Sequence, residues 1–75
     1  MVRYFFDCIA TNQSLYDYKG SEFPSPESAR DFAEAMAQNL RDSLNREWSA
    51  WSIDVRNAEG KRLIILPVGA SQIAA

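Results

Sequence analysis

The sequence contains no histidine and only one cysteine among its 75 residues. Without histidine, the chain lacks the commonest general base, the Ser-His-Asp and Cys-His catalytic pairings, and the commonest metal ligand. The single cysteine, Cys8, can form neither an internal disulfide nor a thiolate zinc site, which suits a reducing compartment. We therefore expect a non-enzymatic protein with no catalytic residue, no metal site and no cofactor.

Long hydrophobic runs are also missing. No stretch approaches the roughly 18 apolar residues of a membrane span, and Asp7 interrupts the apolar start, unlike a signal peptide. The formal net charge of −2 argues against a protein that neutralises nucleic-acid phosphates. These absences predict a cytoplasmic location, with neither a membrane nor a nucleic acid as partner.

What is present is typical of a folded domain. Hydrophobic residues make up 47% of the chain and charged residues 24%, a globular rather than a disordered composition. The length allows one domain, which we expect to span residues 1–68. Residues 69–75 are mostly small and predict a flexible C-terminal tail.

Four segments with alternating or aromatic-rich patterns predict strands. They span about residues 3–9, 15–18, 51–56 and 61–68. Two glycines, Gly20 and Gly60, fall in the turns before the helix and between the last two strands. Each is expected to supply a backbone conformation that other residues resist.

The middle of the chain has clear signals for a helix from Pro26 to about Glu47. Ser25 is a good N-cap, Pro26 loses no useful N–H at the first helical position, and Glu27 complements the helix dipole. Apolar residues then recur every three or four positions and predict one buried stripe. The stripe consists of Ala29, Phe32, Ala33, Met36, Ala37, Leu40 and Leu44.

These elements predict an α+β fold in the order β-β-α-β-β. The helix packs on one face of a four-stranded, largely antiparallel sheet. Short connections favour hairpins and the strand order 2-1-3-4. A mixed sheet of order 2-1-4-3 is the alternative, because it would bury the very apolar fourth strand centrally.

One helix covers only one face of such a sheet, yet Leu63-Ile64-Ile65-Leu66 is apolar on both faces. An apolar second face needs a cover. The leading hypothesis is an interaction or homodimerisation module that associates through this face or through the edge of the fourth strand. The predicted contact residues are Phe5, Trp51, Ile64 and Leu66.

Other residues favour packing over chemistry. Cys8 lies among apolar neighbours and is expected to be an inert core residue. The carboxylates Asp7, Asp17 and Glu22 have irregular spacing and are expected to be ordinary surface groups. For Trp48 and Trp51, core and interface roles stay open.

The aromatics of the first third suggest two alternative functions. They are Tyr4, Phe5, Phe6, Tyr16, Tyr18 and Phe23. They could line a small-ligand pocket between helix and sheet, although the core looks too small to spare one. A surface that stacks the bases of a single-stranded nucleic acid is less favoured. The chain is acidic overall and lacks the patch of basic residues that nucleic-acid binding requires.

The opening Met1-Val2-Arg3-Tyr4-Phe5-Phe6 resembles small domains of unknown function from alphaproteobacteria, especially rhizobial types. Members open Met-x-Arg-Tyr/Phe-Phe-Phe and continue with Asp-x-x-Gly-x-Glu-Phe/Leu-Pro, here Asp17-Tyr18-Lys19-Gly20-Ser21-Glu22-Phe23-Pro24. An Ala-rich helix, a tryptophan (Trp51) and a Gly-turn hairpin (Glu59-Gly60) follow. Position 7 departs from the pattern, since many relatives carry histidine where this chain has Asp7. The resemblance implies a compact cytoplasmic bacterial domain and brings no activity, cofactor or catalytic residue.

Overall fold

The computed structural model describes residues 1–43 and 50–69. It contains five strands and one helix in the described residues: β1 Val2–Ile9, β2 Ser14–Leu15, β3 Ser21–Phe23, α1 Pro26–Asp42, β4 Ser52–Asn57 and β5 Arg62–Pro67. The predicted α+β class, an antiparallel sheet with one helix, is confirmed. Predictions for Leu44, Glu47, Trp48 and residues 70–75 lie outside the described residues.

The sheet has five strands rather than the predicted four. β1 pairs antiparallel with β4, and β4 pairs antiparallel with β5. Two short strands, β2 and β3, share the other edge of β1, where they pair with its C-terminal and N-terminal halves. Strand count and strand order therefore differ in detail from the prediction. The described strands also exclude the mixed alternative, because β1 lies beside β4 and every pair is antiparallel.

A side-chain clamp explains why the strand expected over 15–18 stops at Leu15 and why a further short strand, which was not predicted, begins at Ser21. Between β2 and β3, Asp17 Oδ2 accepts a hydrogen bond from the Phe6 N–H at 3.1 Å. Asp17 Oδ1 accepts from the N–H groups of Lys19 and Gly20 at 3.1 and 2.9 Å. Such local bonds compete with strand pairing. The chain therefore turns away from β1 here and returns through Gly20, whose φ is +74°.

The helix begins as predicted and ends earlier. Ser25 is extended and its Oγ accepts from the Ser28 N–H, with Pro26 in the first turn. α1 ends at Asp42 because Ser43 is extended at ψ 160° and its N–H and Oγ both donate to Leu40 O. The helix side that meets the sheet is lined by alanines. Small side chains allow the helix to approach the sheet closely.

The core lies between α1 and one face of the sheet. Its buried residues are Tyr4, Phe6, Ala29, Ala33, Ala37, Ile53, Val55 and Val68. Phe23 packs edge-on against Phe6 with ring centroids 5.7 Å apart, and against Phe32 at 5.4 Å. Phe23 therefore packs between the sheet and the helix. Phe32 itself remains 45% exposed, although it belongs to the predicted buried stripe.

A register shift in β5 resolves its two-faced apolar pattern. The shift lies opposite Val55 and Arg56, so β5 carries one more residue than β4 there. A bulge of this kind changes which way the flanking side chains point. Leu63, Ile64 and Leu66 all pack against the buried core, whereas Ile65 is 43% exposed.

Candidate interaction surface

The sheet face opposite α1 has no described element over it, and we call it the uncovered face. Strand alternation identifies the residues of this face. Tyr4, Phe6, Ile53 and Val55 point towards the helix, so the residues between them along β1 and β4 point to the other side. Its members are Arg3, Phe5, Asp7, Ile9, Ser52, Asp54, Arg56, Arg62, Ile65 and Pro67. The face therefore combines arginines, aspartates and a few apolar groups.

Two aspartates lie directly opposite each other at the middle of this face. Asp7 on β1 pairs with Asp54 on β4, and the two residues are only 3% and 8% exposed. Like charges directly opposite each other destabilise a sheet. Each carboxylate must therefore be neutralised by a separate partner.

Arg56 neutralises Asp7. Its Nε donates to Asp7 Oδ2 at 2.8 Å, and its guanidinium carbon lies 5.0 Å from the centre of the Phe5 ring. Asp7 Oδ1 accepts from the Asp17 N–H at 2.9 Å, so both carboxylate oxygens are bonded. Stacking on an aromatic ring and pairing with a carboxylate together hold the guanidinium in one position.

Arg62 neutralises Asp54 through two parallel bonds. Nε donates to Oδ1 at 2.9 Å and Nη2 donates to Oδ2 at 3.1 Å. Arg62 lies opposite Arg56 across the β4–β5 pair, so the two guanidinium groups are cross-strand neighbours. The bidentate geometry orients Arg62 even though 58% of its side chain is exposed.

A third arginine, Arg3, links β1 to the loop before β3 and to β3 at the edge of the face. Arg3 Nη1 donates to Lys19 O at 2.8 Å, and Nη2 pairs with Glu22 at 3.1 Å. Gly20 lies directly beside this contact. A Cβ at Gly20 would come within 2.9 Å of Phe5 Cε2 and 3.0 Å of Tyr4 O, so only glycine fits.

The surroundings of Asp17, Arg56 and Arg62 stabilise the charged form of each side chain. Burial raises the pKa of Asp17, but hydrogen bonds from the N–H groups of Gly20, Phe6 and Lys19 outweigh it, and the charge of Arg56 adds to them. The net effect holds the pKa of Asp17 below its usual range. The hydrogen bond to Asp7 raises the pKa of Arg56, and the bond to Asp54 raises the pKa of Arg62. These groups therefore stay charged at neutral pH.

Cys8 is half-buried and packs against the core. Burial raises the pKa of its thiol, and the negative charges of Asp7 and Asp17 raise it further. The thiol is therefore protonated and weakly nucleophilic at neutral pH. Among residues 1–43 and 50–69, no group of three or more acidic, cysteine or histidine side chains is arranged to hold a metal ion.

The structure separates the four predicted contact residues. Phe5 lies on the uncovered face beneath Arg56. Ile64 and Leu66 lie on the helix side, not on the face expected for the interface, because they are paired with the buried Val55 and Ile53. Trp51 is half-buried against the core, and its carbonyl accepts from the Val68 N–H. A role of these residues in association stays a prediction.

Sequence reasoning missed the arginines and aspartates that dominate the uncovered face. Asp7, Asp17 and Glu22 were expected to be ordinary surface carboxylates, yet each one is bonded to an arginine or a backbone N–H. The available signal was the alternation of Asp54 and Arg56 with buried residues. Arg56 can pair with Asp7 only because the register of β1 against β4 brings together two residues that are 49 positions apart in the sequence.

Comparisons with known proteins support the resemblance seen in the sequence. Residues 3–69 match the model of a family described as a domain of unknown function, DUF6894. No match was found among curated proteins or among solved structures. The alphaproteobacterial origin and the N-terminal signature stay predictions. No described helix is long and apolar enough to cross a membrane.

Proposed function

Because the chain belongs to the DUF6894 family, a domain of unknown function, we propose its role from the geometry: it is a non-enzymatic protein-interaction module that binds through the uncovered face. The observation that carries this proposal is the set of arginines held in place on an otherwise uncovered sheet face. Arg3, Arg56 and Arg62 all have acidic partners within this chain.

The basic and aromatic side chains of the face are of the kinds enriched at contact surfaces. Arginine and aromatic residues are enriched at protein interfaces, whereas lysine, glutamate and aspartate are depleted, and the two aspartates of this face are buried beneath their partners. The uncovered face uses arginine at each of its basic positions and places Phe5 beneath one of them. Exposed Ile65 adds an apolar contact beside Arg62.

The fixed arginines also lower the cost of binding. Immobilising a long side chain on binding costs about 0.5–1.5 kcal/mol. Arginines that are already held lose less conformational freedom on binding, so a smaller part of this cost remains. In the described part of the chain, Arg56 Nη1 and Nη2 and Arg62 Nη1 have no acceptor, so they remain available to carbonyl or carboxylate oxygens of a partner.

The same bonds argue against acid–base catalysis. Asp7 and Asp54 each bind an arginine through short hydrogen bonds, and Asp17 binds three backbone N–H groups. Carboxylate oxygens that are already occupied by these donors are poorly placed to exchange a proton with a substrate. A homodimer and an unrelated protein partner are both compatible with this surface.

Site-specific photo-cross-linking in cells that express the chain tests the proposal. A benzophenone amino acid is placed at Ser52 or Ile9 on the uncovered face, and at Ala35 or Asn39 on the exposed side of α1 as a matched control. We expect a discrete adduct from the face positions that is missing from the helix positions. Equal adducts from both surfaces, or none from the face, would refute the proposal. The mass of the adduct distinguishes a second copy from another protein.

A further inference from the structure

The outer edge of β5 carries backbone groups that no described residue satisfies. The Val68 N–H donates to Trp51 O, and Pro67 lies opposite Ser52. Bonded and non-bonded pairs alternate along an antiparallel ladder. The N–H and C=O of Ile65 therefore point away from β4, together with the C=O of Pro67.

This edge is open at its middle and blocked near its end. Pro67 has no N–H, and proline at such a position is a common protection against indiscriminate strand pairing. The donor and acceptor of Ile65 remain, and an antiparallel pair centred on one residue exchanges both of its hydrogen bonds. The edge is thus complementary to itself under a two-fold axis through Ile65.

We propose that two copies of this chain form a dimer by antiparallel pairing of their β5 edges, with the two-fold axis at Ile65. The two Ile65 side chains, each 43% exposed, then meet on the axis. The two sheets become one continuous sheet, with both helices on the same side and both uncovered faces on the other.

Two charged side chains without oppositely charged partners lie beside the β5 edge, and they indicate that a second copy of this chain pairs with it. A groove of about 240 Å³ runs between α1 and β5, and Glu34, Gln38, Arg41, Leu66 and Pro67 are among its lining residues. Arg41 donates only to neutral oxygens, Val68 O and Gln38 Oε1. Within the described residues, neither Arg41 nor Glu34 has an oppositely charged partner.

The two-fold axis brings these charges together. Glu34 and Arg41 are seven residues apart, which places them on the same side of α1 and about 10 Å apart along its axis. Gln38 lines the same groove as Leu66, the residue that follows Ile65, so the two-fold axis passes beside Gln38. The axis places α1 of the second copy antiparallel to α1 of the first. Glu34 of each copy then lies opposite Arg41 of the other, and both ion pairs form at once.

The dimer uses the edge of β5 and shares the exposed Ile65 with the proposed contact surface, and it would place two uncovered faces side by side. One strand edge and one helix flank are smaller than the ~800 Å² per partner of a standard stable interface. We therefore expect association that depends on concentration over the micromolar range.

Sedimentation equilibrium across a dilution series measures this dimer, whose mass is twice 8.5 kDa. Ile65→Lys places two positive charges on the axis, and Glu34→Arg sets arginine against arginine. Asn39→Arg is the matched control, because five residues further along α1 it lies on the other flank of the helix. Circular dichroism verifies that each variant is folded.

We expect a wild-type dimer whose dissociation constant rises at least tenfold in Ile65→Lys and in Glu34→Arg and is unchanged in Asn39→Arg. A wild-type chain that stays monomeric at every concentration overturns the proposal. A dimer that persists in both folded variants also overturns it. Neither of these results affects cross-linking from the uncovered face, so the two proposals fail separately.

Discussion

Replacing Gly20 with alanine tests how tightly the loop between β2 and β3 is packed onto the uncovered face. Gly20 has φ +74°, and a Cβ there would meet Phe5 Cε2 at 2.9 Å, Arg3 Cγ at 3.0 Å and Tyr4 O at 3.0 Å. The side chains of Phe5 and Arg3 can move. Tyr4 O belongs to the central strand and cannot move without disturbing the sheet.

Gly60 provides a matched control. Its φ is +87°, and nothing lies within 4 Å of a Cβ built there. Gly60→Ala therefore adds only the left-handed backbone penalty of roughly 1–2 kcal/mol. The unfolded chain also loses about 0.4–1 kcal/mol of conformational freedom, which opposes this penalty. The expected net loss for Gly60→Ala is about 1 kcal/mol.

Gly20→Ala adds a steric cost to the same backbone cost. Overpacking a filled site costs about 1–3 kcal/mol, so the total loss is expected to be about 2–4 kcal/mol. A chain of 75 residues has roughly 4–11 kcal/mol of stability at ~0.05–0.15 kcal/mol per residue. Gly20→Ala should therefore lower the unfolding free energy severely, while Gly60→Ala leaves a stable domain.

Urea unfolding followed by tryptophan fluorescence measures both losses. With an m-value of about 1 kcal/mol/M, the two midpoints should differ by about 1 M or more. Sucrose in all samples keeps Gly20→Ala folded at zero urea if its stability is marginal. Equal losses in the two variants would refute the reasoning, because they would show that the contacts of Gly20 with Tyr4 O and Phe5 are not restrictive.

Three further predictions concern the polar groups of the same face. Asp17→Asn should cost about 1–3 kcal/mol, because an amide oxygen cannot accept all three N–H bonds at once. Folding lowers the pKa of Asp17 below the 3.8 of an unperturbed aspartate. The stability that this carboxylate contributes is therefore fully present above pH 3.8 and is lost as the pH drops through the lowered pKa of the folded state. The slope of stability against pH below 4 should therefore be smaller in Asp17→Asn, and an identical slope would contradict the clamp. Arg56→Ala and Arg62→Ala should both destabilise the domain, because each leaves a buried aspartate without its partner. The loss should be larger for Arg56→Ala, since the Asp7 side chain is 4% exposed and that of Asp54 is 11% exposed, and since Arg56 is less exposed than Arg62. Urea midpoints in the reverse order would disprove the assignment. Cys8 should react slowly with a thiol reagent at neutral pH and at least tenfold faster in urea, whereas equal rates would contradict its burial and raised pKa.

The local signals in the sequence determined much of the architecture. Ser25 and Pro26 set the start of α1 because capping and a fixed φ act over a single turn of chain. Alternation identified β1 and β4, and Gly20 and Gly60 marked turns that need a positive φ. These features depend only on neighbouring residues, so one sequence suffices to predict them.

The composition of the uncovered face depended on contacts between distant segments. The shift opposite Val55 and Arg56 turned Ile64 and Leu66 toward the helix, and nothing within the run from Leu63 to Leu66 indicates a shift. The split edge of β1 likewise depends on Asp17, whose carboxylate reaches Phe6 across 11 positions. A hydrophobic pattern reports which residues prefer burial, but strand register decides which face buries them.

The tertiary structure also decided the electrostatic character of the face. In the sequence, Asp7, Asp54, Arg56 and Arg62 are ordinary charged residues, two negative and two positive. Pairing β1 with β4 places the two aspartates side by side, so that each needs its own arginine. Local sequence thus determined a two-layer α+β domain, whereas long-range strand pairing decided what its uncovered face presents to a partner, since the Coulomb energy of a charge depends on distances that only the folded chain defines.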